Sequence, residues 1–378
     1  MAYDKVVDSA SLDSKLTQVA DAIRTKGNTS AGLQFPSGFI SAIQAIQTGT
    51  ELQIIVSVTS GATVTATKGS KVVSGTSVDG TCTLVVPEEG EWTVSATLGG
   101  ETSRSNIVNV TSSYDTTLVF ISPILNDNSW ETIRGISDAG TGENFWSIGD
   151  RKAVTLNGTV GALTLSNYTT YAFIIGFNHN SSVEGANRIH FQLGKTALSG
   201  GTDVALCDNS YNLIGGGVRM NTSDSNSGGW ESSFMRKYIC GTSMISYSNT
   251  IIAVIPEALR TVLKYVTKYT NNTGRLQPGM ESATATTDYF FLLSEYEVFG
   301  TFRVANVGES KKQAQYSYYS SGNSKVKYNY NAIGTAVTWW LRSPVASDSE
   351  QFATCYMSGE VSGDDARKSY GFAPGFCV

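Results

Sequence analysis

At Glu51 the spacing of apolar residues changes from every third or fourth position to every second. Helix faces repeat at 3.6 residues and strand faces at two, so one chain must combine a helical opening with a β-rich remainder. Leu12, Leu16, Val19, Ala20 and Ile23 recur at helical spacing, with Ser11 as N-cap and Gly27 as the stop after Lys26. A second helix is predicted from Pro36 through Phe39, Ile40, Ile43 and Ile46 to Gly49. Isolated helices shorter than about 12 to 15 residues are marginal in water. The hairpin in residues 1–50 therefore needs a partner surface: its own domain, copies of itself or another protein.

After Glu51, Gln53 to Thr59, Ala62 to Lys68, Thr81 to Val86, Glu91 to Leu98 and Ser105 to Thr111 alternate or are β-branched, with glycines between them. Asp79-Gly80 is a hairpin turn pattern and Trp92 is the expected core anchor. Residues 51–112 are thus predicted to form a small β-sandwich serving as a rigid spacer without a site.

Residues 113–378 read as a mixed α/β unit with long loops. Helices are predicted at Trp130 to Ser137, Trp230 to Tyr238 and Pro256 to Tyr265, and strands at Lys152 to Leu156, Ala162 to Leu165 and Thr170 to Phe177. Gly215-Gly216-Gly217 cannot hold regular structure. The close of the chain carries two apolar stretches, Trp339 to Pro344 and Phe376 to Val378. They are expected to be paired core strands, with residues 347 to 372 held outside between them.

The 378 residues allow two or three domains, and only 16% are charged. A net charge of -5 without clustered Lys and Arg argues against nucleic acid, because counterion release needs grouped cations. The five cysteines are far apart and their number is odd, so buried thiols are expected rather than a disulfide framework. No apolar run is long enough to span a bilayer, and residues 1–20 lack a basic region followed by an apolar one. If the protein works outside a cell, release by lysis or on an assembled particle is expected, without membrane insertion.

The run Leu16 to Lys26 followed by Leu33-Gln34-Phe35-Pro36-Ser37-Gly38-Phe39-Ile40-Ser41-Ala42-Ile43 resembles the N-terminal segment of tail-associated proteins of phages and prophages of Gram-positive bacteria. Gly90-Glu91-Trp92-Thr93-Val94 resembles a strand of the immunoglobulin-like spacers of phage and bacterial surface proteins. Phe145 to Asp150, Gly229 to Arg236, Leu293 to Gly300, Trp339 to Pro344 and the terminal Gly371-Phe372-Ala373-Pro374-Gly375-Phe376-Cys377-Val378 together resemble a family of uncharacterised C-terminal domains in such proteins. That family is similar to the C-type-lectin-like fold of variable phage receptor-binding proteins and formylglycine-generating enzymes. The resemblances imply a multidomain, β-rich α+β chain: a short helical hairpin (1–50), an immunoglobulin-like sandwich (51–112) and a C-type-lectin-like domain (113–378).

Trp339, Trp340, Leu341, Arg342 and Pro344 fit either a sugar-stacking platform or a core strand in which Arg342 pairs with a buried carboxylate; the core reading is preferred, since aromatic strands are usually internal. The segment between the apolar ends mixes aromatic anchors with adaptable polar groups, as binding surfaces do. Asp348, Glu350, Phe352, Tyr356, Glu360, Asp364, Asp365, Lys368 and Tyr370 are the expected receptor-binding residues, with a solvated loop as the alternative. Tyr316, Tyr318, Tyr319, Tyr328 and Tyr330 invite the same two readings. Asp348, Glu350, Asp364 and Asp365 offer oxygen ligands without the alternating spacing of a calcium loop, so no metal or other cofactor is expected. His179 and His190 sit in no metal-binding or catalytic spacing, and Cys355 and Cys377 have no neighbouring cationic cluster, so no catalytic residue is assigned.

The expected protein is a non-enzymatic phage tail or tail-fibre component, located in the virion after assembly in the host cytoplasm. Residues 1–50 would meet other tail proteins, and the last domain a host-surface glycan or protein receptor. A homotrimer is expected, because avidity strengthens weak contacts. The alternative is a purely structural baseplate or decoration protein.

Overall fold

A computed structural model describes residues 9–45, 51–275 and 282–378. It divides into two compact units, Met1–Phe120 and Ile121–Val378. Among the described residues no helix is long and apolar enough to cross a membrane.

The first unit opens with the helices Ser9–Lys26 and Ser37–Ala45. The first begins two residues before the predicted cap and stops as predicted, with Gly27 N donating to Ile23 O (2.8 Å). The predicted continuation of the second from Ile46 to Gly49 lies outside the described residues. Ala20, Ile23 and Phe39 form a small buried cluster, but Leu12, Val19, Phe35, Ile40 and Ile43 are exposed. Only part of the predicted apolar stripe is covered.

Two sheets follow. Gln53–Ser57 lies between Thr81–Val85, antiparallel, and Tyr114–Thr117, parallel. In the other sheet Gly90–Leu98 pairs with Thr63–Lys68, Glu101–Thr102 and Asn106–Val110, and Lys71–Thr76 forms an edge. Alternate residues of both sheets, among them Ile54, Val56, Leu84, Val64 and Val94, share one core around Trp92. Trp92 is fully buried and its indole N–H donates to Glu88 O (3.1 Å). Asp79 and Gly80 both have positive φ (51° and 81°), the backbone that a tight hairpin turn demands. The sequence reading missed Lys71–Thr76 and assigned Tyr114–Thr117 to the next segment; its pairing with Gln53–Ser57 ties it to this sheet.

The second unit is built on a five-stranded antiparallel sheet in the order Phe290–Phe291, Gly375–Cys377, Ile189–Lys195, Leu163–Phe177, Arg151–Val160. Ile189–Lys195 is buried at every position, as a strand covered on both faces must be. Phe376 stacks on Phe191 (5.3 Å between centroids), and Trp130, on the helix Trp130–Asp138, meets both rings edge-on.

The expected burial of the two apolar stretches holds, but their expected pairing does not. Gly375–Cys377 enters the middle of the large sheet, whereas Trp339–Pro344 pairs with Gln351–Cys355 in a separate three-stranded sheet completed by Val361–Asp365. Both stretches reach the same core from different sheets.

The predicted helix at Trp230 to Tyr238 is broken. One α turn, Gly229–Ser232, is followed by a π-helix, Met235–Gly241. Ser233 explains the break: it is extended (φ -61°, ψ 146°), its hydroxyl donates to Trp230 O (2.9 Å) and accepts from Arg236 N (3.1 Å), and so it competes with the helical ladder. The helix predicted over Pro256 to Tyr265 is confined to Glu257–Arg260, because the backbone from Val266 onward pairs with Thr284–Asp288.

Candidate functional site

The expected receptor-binding residues lie on and beside the hairpin formed by Gln351–Cys355 and Val361–Asp365. Its first strand is buried from Phe352 to Cys355, so Phe352, fully enclosed, is a core residue and not a displayed anchor. Tyr370 is also buried, packed edge-on against Trp340 at 5.2 Å. Its hydroxyl lies 2.5 Å from Asp364 Oδ2 and 3.1 Å from Asn212 Oδ1. Burial raises the Tyr370 phenol well above its ordinary range, and the adjoining Asp364 carboxylate adds to this. Tyr316, Tyr318 and Tyr319 are buried as well, which removes them from any displayed surface.

Asp364 accepts from Lys368 Nζ (2.7 Å), and Asp365 accepts weakly from Gln351 Nε2 (3.3 Å). These carboxylates are thus paired with a cation and an amide of the same face. Asp348 Oδ1 accepts from Glu350 N (2.7 Å) and shapes the turn before the hairpin. Glu350, Tyr356 and Glu360 are exposed; Tyr356 and Met357 form the tip, closed by Gly359 N donating to Tyr356 O (2.8 Å).

The loop carrying Asp348 and Glu350 is anchored by a residue that spacing alone does not single out. Asn226, 1% exposed, donates through Nδ2 to Val345 O (3.1 Å), Asp348 O (2.7 Å) and Gln351 O (2.8 Å). Its own N–H donates to Ser349 O (2.8 Å). One amide thereby sets the curvature of residues 345 to 351 from inside.

The same unit also holds a buried cluster of charged side chains. Arg342 is fully buried on Trp339–Pro344 and meets Glu297, the partner expected from sequence only as an unnamed carboxylate. Its Nη2 donates to Glu297 Oε1 (2.8 Å), Nη1 donates to Glu297 Oε2 and to Leu292 O (2.8 Å), and Nε donates to Thr270 Oγ1 (2.8 Å). Glu297 also closes a capping box on the helix Glu295–Phe299, accepting from Ser294 N (3.0 Å). Lys268 Nζ reaches Glu184 Oε2 (2.6 Å), Tyr316 OH (2.7 Å) and Glu297 Oε1 (3.0 Å). Beyond them Glu309 accepts from Asn271 N (2.9 Å) and Ser343 Oγ (2.6 Å).

Burial disfavours the charge of Glu297, but Arg342 and Lys268 outweigh it and hold its carboxyl well below the usual range. Glu184 and Glu309 are each pushed up to about 7, chiefly by burial. Burial, reinforced by Lys268, lowers His179 to about 3 and His190 well below its ordinary value, so both imidazoles are neutral at pH 7. His179 stacks on Tyr316 at 3.8 Å, and His190 Nδ1 lies 3.1 Å from Tyr316 OH and 3.3 Å from Cys377 Sγ. All five cysteines are buried free thiols; burial pushes Cys355 and Cys377 up to about 12, far from the thiolate form.

His179, Glu184 and Glu297 bring potential ligand atoms within 4.8 Å of one another. Their carboxylates, however, already face the Lys268 ammonium and the Arg342 guanidinium, which supply the positive charge a metal would bring. The arrangement is a buried ionic centre that fastens Ser181–Glu184, Val266–Thr270, Glu295–Phe299 and Trp339–Pro344 together.

Residues 203–378 match the family described as a domain of unknown function, DUF6273. The matched stretch contains the hairpin, Asn226, Lys268, Glu297 and Arg342, while Glu184 and both histidines precede it. No curated protein matches the chain.

Proposed function

We propose that this chain is a tail or tail-fibre component of a phage or prophage of Gram-positive bacteria, carried in the virion as a homotrimer. In this reading residues 1–50 dock to other tail proteins, the sandwich is an immunoglobulin-like spacer, and the second unit is a C-type-lectin-like domain that binds a host-surface glycan or protein. The observation that carries the reading is the separation of chemistry from surface in the second unit. Both histidines, the unit's four cysteines and the strongly shifted carboxylates are buried, whereas Glu350, Tyr356, Met357 and Glu360 face solvent around an anchored hairpin. Such a surface is suited to recognition rather than to proton transfer or nucleophilic attack. The exposed Leu12, Val19, Phe35, Ile40 and Ile43 support a docking role for the first segment, since apolar side chains grouped on a short helical hairpin favour being covered.

The test is competition. Purified full-length chain added to host cells should bind them and reduce adsorption of particles carrying the same protein. Failure to bind or compete would remove the receptor role. Labelling of Tyr356 and Glu360 on assembled particles separates this reading from a purely structural one, in which those residues would be covered by neighbouring subunits.

A further inference from the structure

A cavity of about 570 Å³ opens on the second unit, floored by Gly215, Gly216 and Gly217. Its floor packs tightly on the protein behind it. A Cβ on Gly216 would fall 2.4 Å from Ser369 Cβ, and one on Gly217 would fall 2.4 Å from Ala162 N, so neither position accepts a side chain. Asp208 fixes the floor from the protein side: its carboxylate accepts from Gly217 N (2.5 Å), Val218 N (3.2 Å), Ser210 N (2.9 Å) and Ser369 Oγ (2.8 Å).

The walls carry two cations, Arg219 and Lys237, and no carboxylate side chain lines the cavity among the described residues. Neither cation forms an ion pair with a described residue, whereas Arg236, next to Lys237, is paired with Asp288. The Arg219 guanidinium lies 5.2 Å from the centre of the Phe234 ring, which holds it in place without neutralising it. Its Nε is buried and finds no acceptor among the described residues.

Beside the cations Tyr238 presents a ring that is 59% exposed, braced by Phe234 at 5.1 Å. Lys237 and Tyr238 stand on the π-helix Met235–Gly241, a wider turn of the kind that recurs at functional sites. Ser246, Ser248 and Asn249 add hydroxyl and amide groups at the rim. Two cations lining one cavity suit a carboxylate or phosphate, an exposed phenol ring suits the apolar face of a pyranose, and a polar rim suits hydroxyls.

We propose that this cavity binds an anionic sugar, with its carboxylate or phosphate between Arg219 and Lys237 and its ring against Tyr238. The inference goes beyond the receptor reading and does not depend on it. A chain that adsorbs to cells yet ignores acidic sugars overturns this inference alone, and one that binds acidic sugars without adsorbing to cells overturns only the receptor role.

The experiment is calorimetric titration of the full chain with glucuronic acid, glucose 1-phosphate, glucose and inorganic phosphate. At least one acidic sugar should bind with a Kd of about 1 mM or tighter, and glucose and inorganic phosphate at least about tenfold more weakly. The two acidic sugars distinguish a carboxylate from a phosphate as the preferred group. Arg219→Gln and Lys237→Gln should each weaken binding about tenfold or more, the loss expected of one charge-assisted contact. Lys237 is exposed, so its variant keeps the test valid even if Arg219→Gln unfolds. Absence of binding by both acidic sugars up to about 10 mM overturns the proposal. Equal binding of glucose, equal binding of inorganic phosphate, or insensitivity to a folded variant overturns it too.

Discussion

Arg342 and Glu297 face each other as a forked ion pair in which neither side chain has any exposed surface. Removing one partner leaves the other charged in a low-dielectric interior, which is more damaging than losing both. Arg342→Met should therefore destabilise the second unit by about 3 to 5 kcal/mol in denaturant unfolding. Arg342→Met combined with Glu297→Gln should lose less than the sum of the single changes.

The same centre sets a pH profile. His179 and His190 have folded-state values below their ordinary 6.5, so the unfolded chain binds their protons first and stability falls as pH drops below 6.5. Glu184 and Glu309, raised to about 7 from 4.5, act in the opposite direction between those values, because there the folded state binds the protons. In this centre two groups offset two, and with Glu295, also raised by burial, on the side of the glutamates, unfolding free energy should not decline from about pH 6.5 to 4.5. Below 4.5 the glutamates no longer oppose, and Glu297, whose folded value is depressed, joins the histidines. Stability should then fall steeply as pH drops further. Denaturant titrations at pH 7, 5.5 and 4 will show the plateau and the break; a steady decline from pH 7 would contradict the balance.

Tyr356 and Tyr370 belonged to one expected surface, yet they should respond differently. Tyr356→Ala, at the exposed tip, should change unfolding free energy by no more than about 0.5 kcal/mol while reducing adsorption to host cells. Tyr370→Ala removes a buried ring beside Trp340 and should destabilise by about 3 kcal/mol. Comparing unfolding midpoints with cell binding for the two variants tests both statements.

Asn226→Ala would leave three loop carbonyls without their inner donor. A stability loss of about 3 kcal/mol is expected, with faster amide exchange concentrated between residues 345 and 351. Uniform acceleration across the unit would instead mean that Asn226 supports the core at large.

Local chemistry made the first unit largely legible. Trp92, the Asp79-Gly80 turn and the alternation from Gln53 onward each identify a strand, a turn or a core position from a few neighbouring residues. Arg342 was readable as a buried cation because Trp339, Trp340 and Leu341 leave little room for a solvent-facing strand. Its partners were not, since Glu184, Lys268 and Glu297 are remote in sequence and meet only through tertiary packing. Phe352 and Tyr370 misled for the same reason: aromatic residues among polar ones look displayed until a second layer covers them. The broken helix at Ser233 shows the limit at short range, where one hydroxyl overrides an otherwise helical pattern.

Gly375–Cys377 occupies an interior place in the large sheet, between strands that begin at Ile189 and Phe290. During synthesis those two strands emerge long before the segment that joins them, and the sheet stays split with unpaired edges until it arrives. Such edges invite pairing with other chains. Any change that removes Gly375–Cys377 therefore opens two strand edges that this sheet otherwise keeps paired.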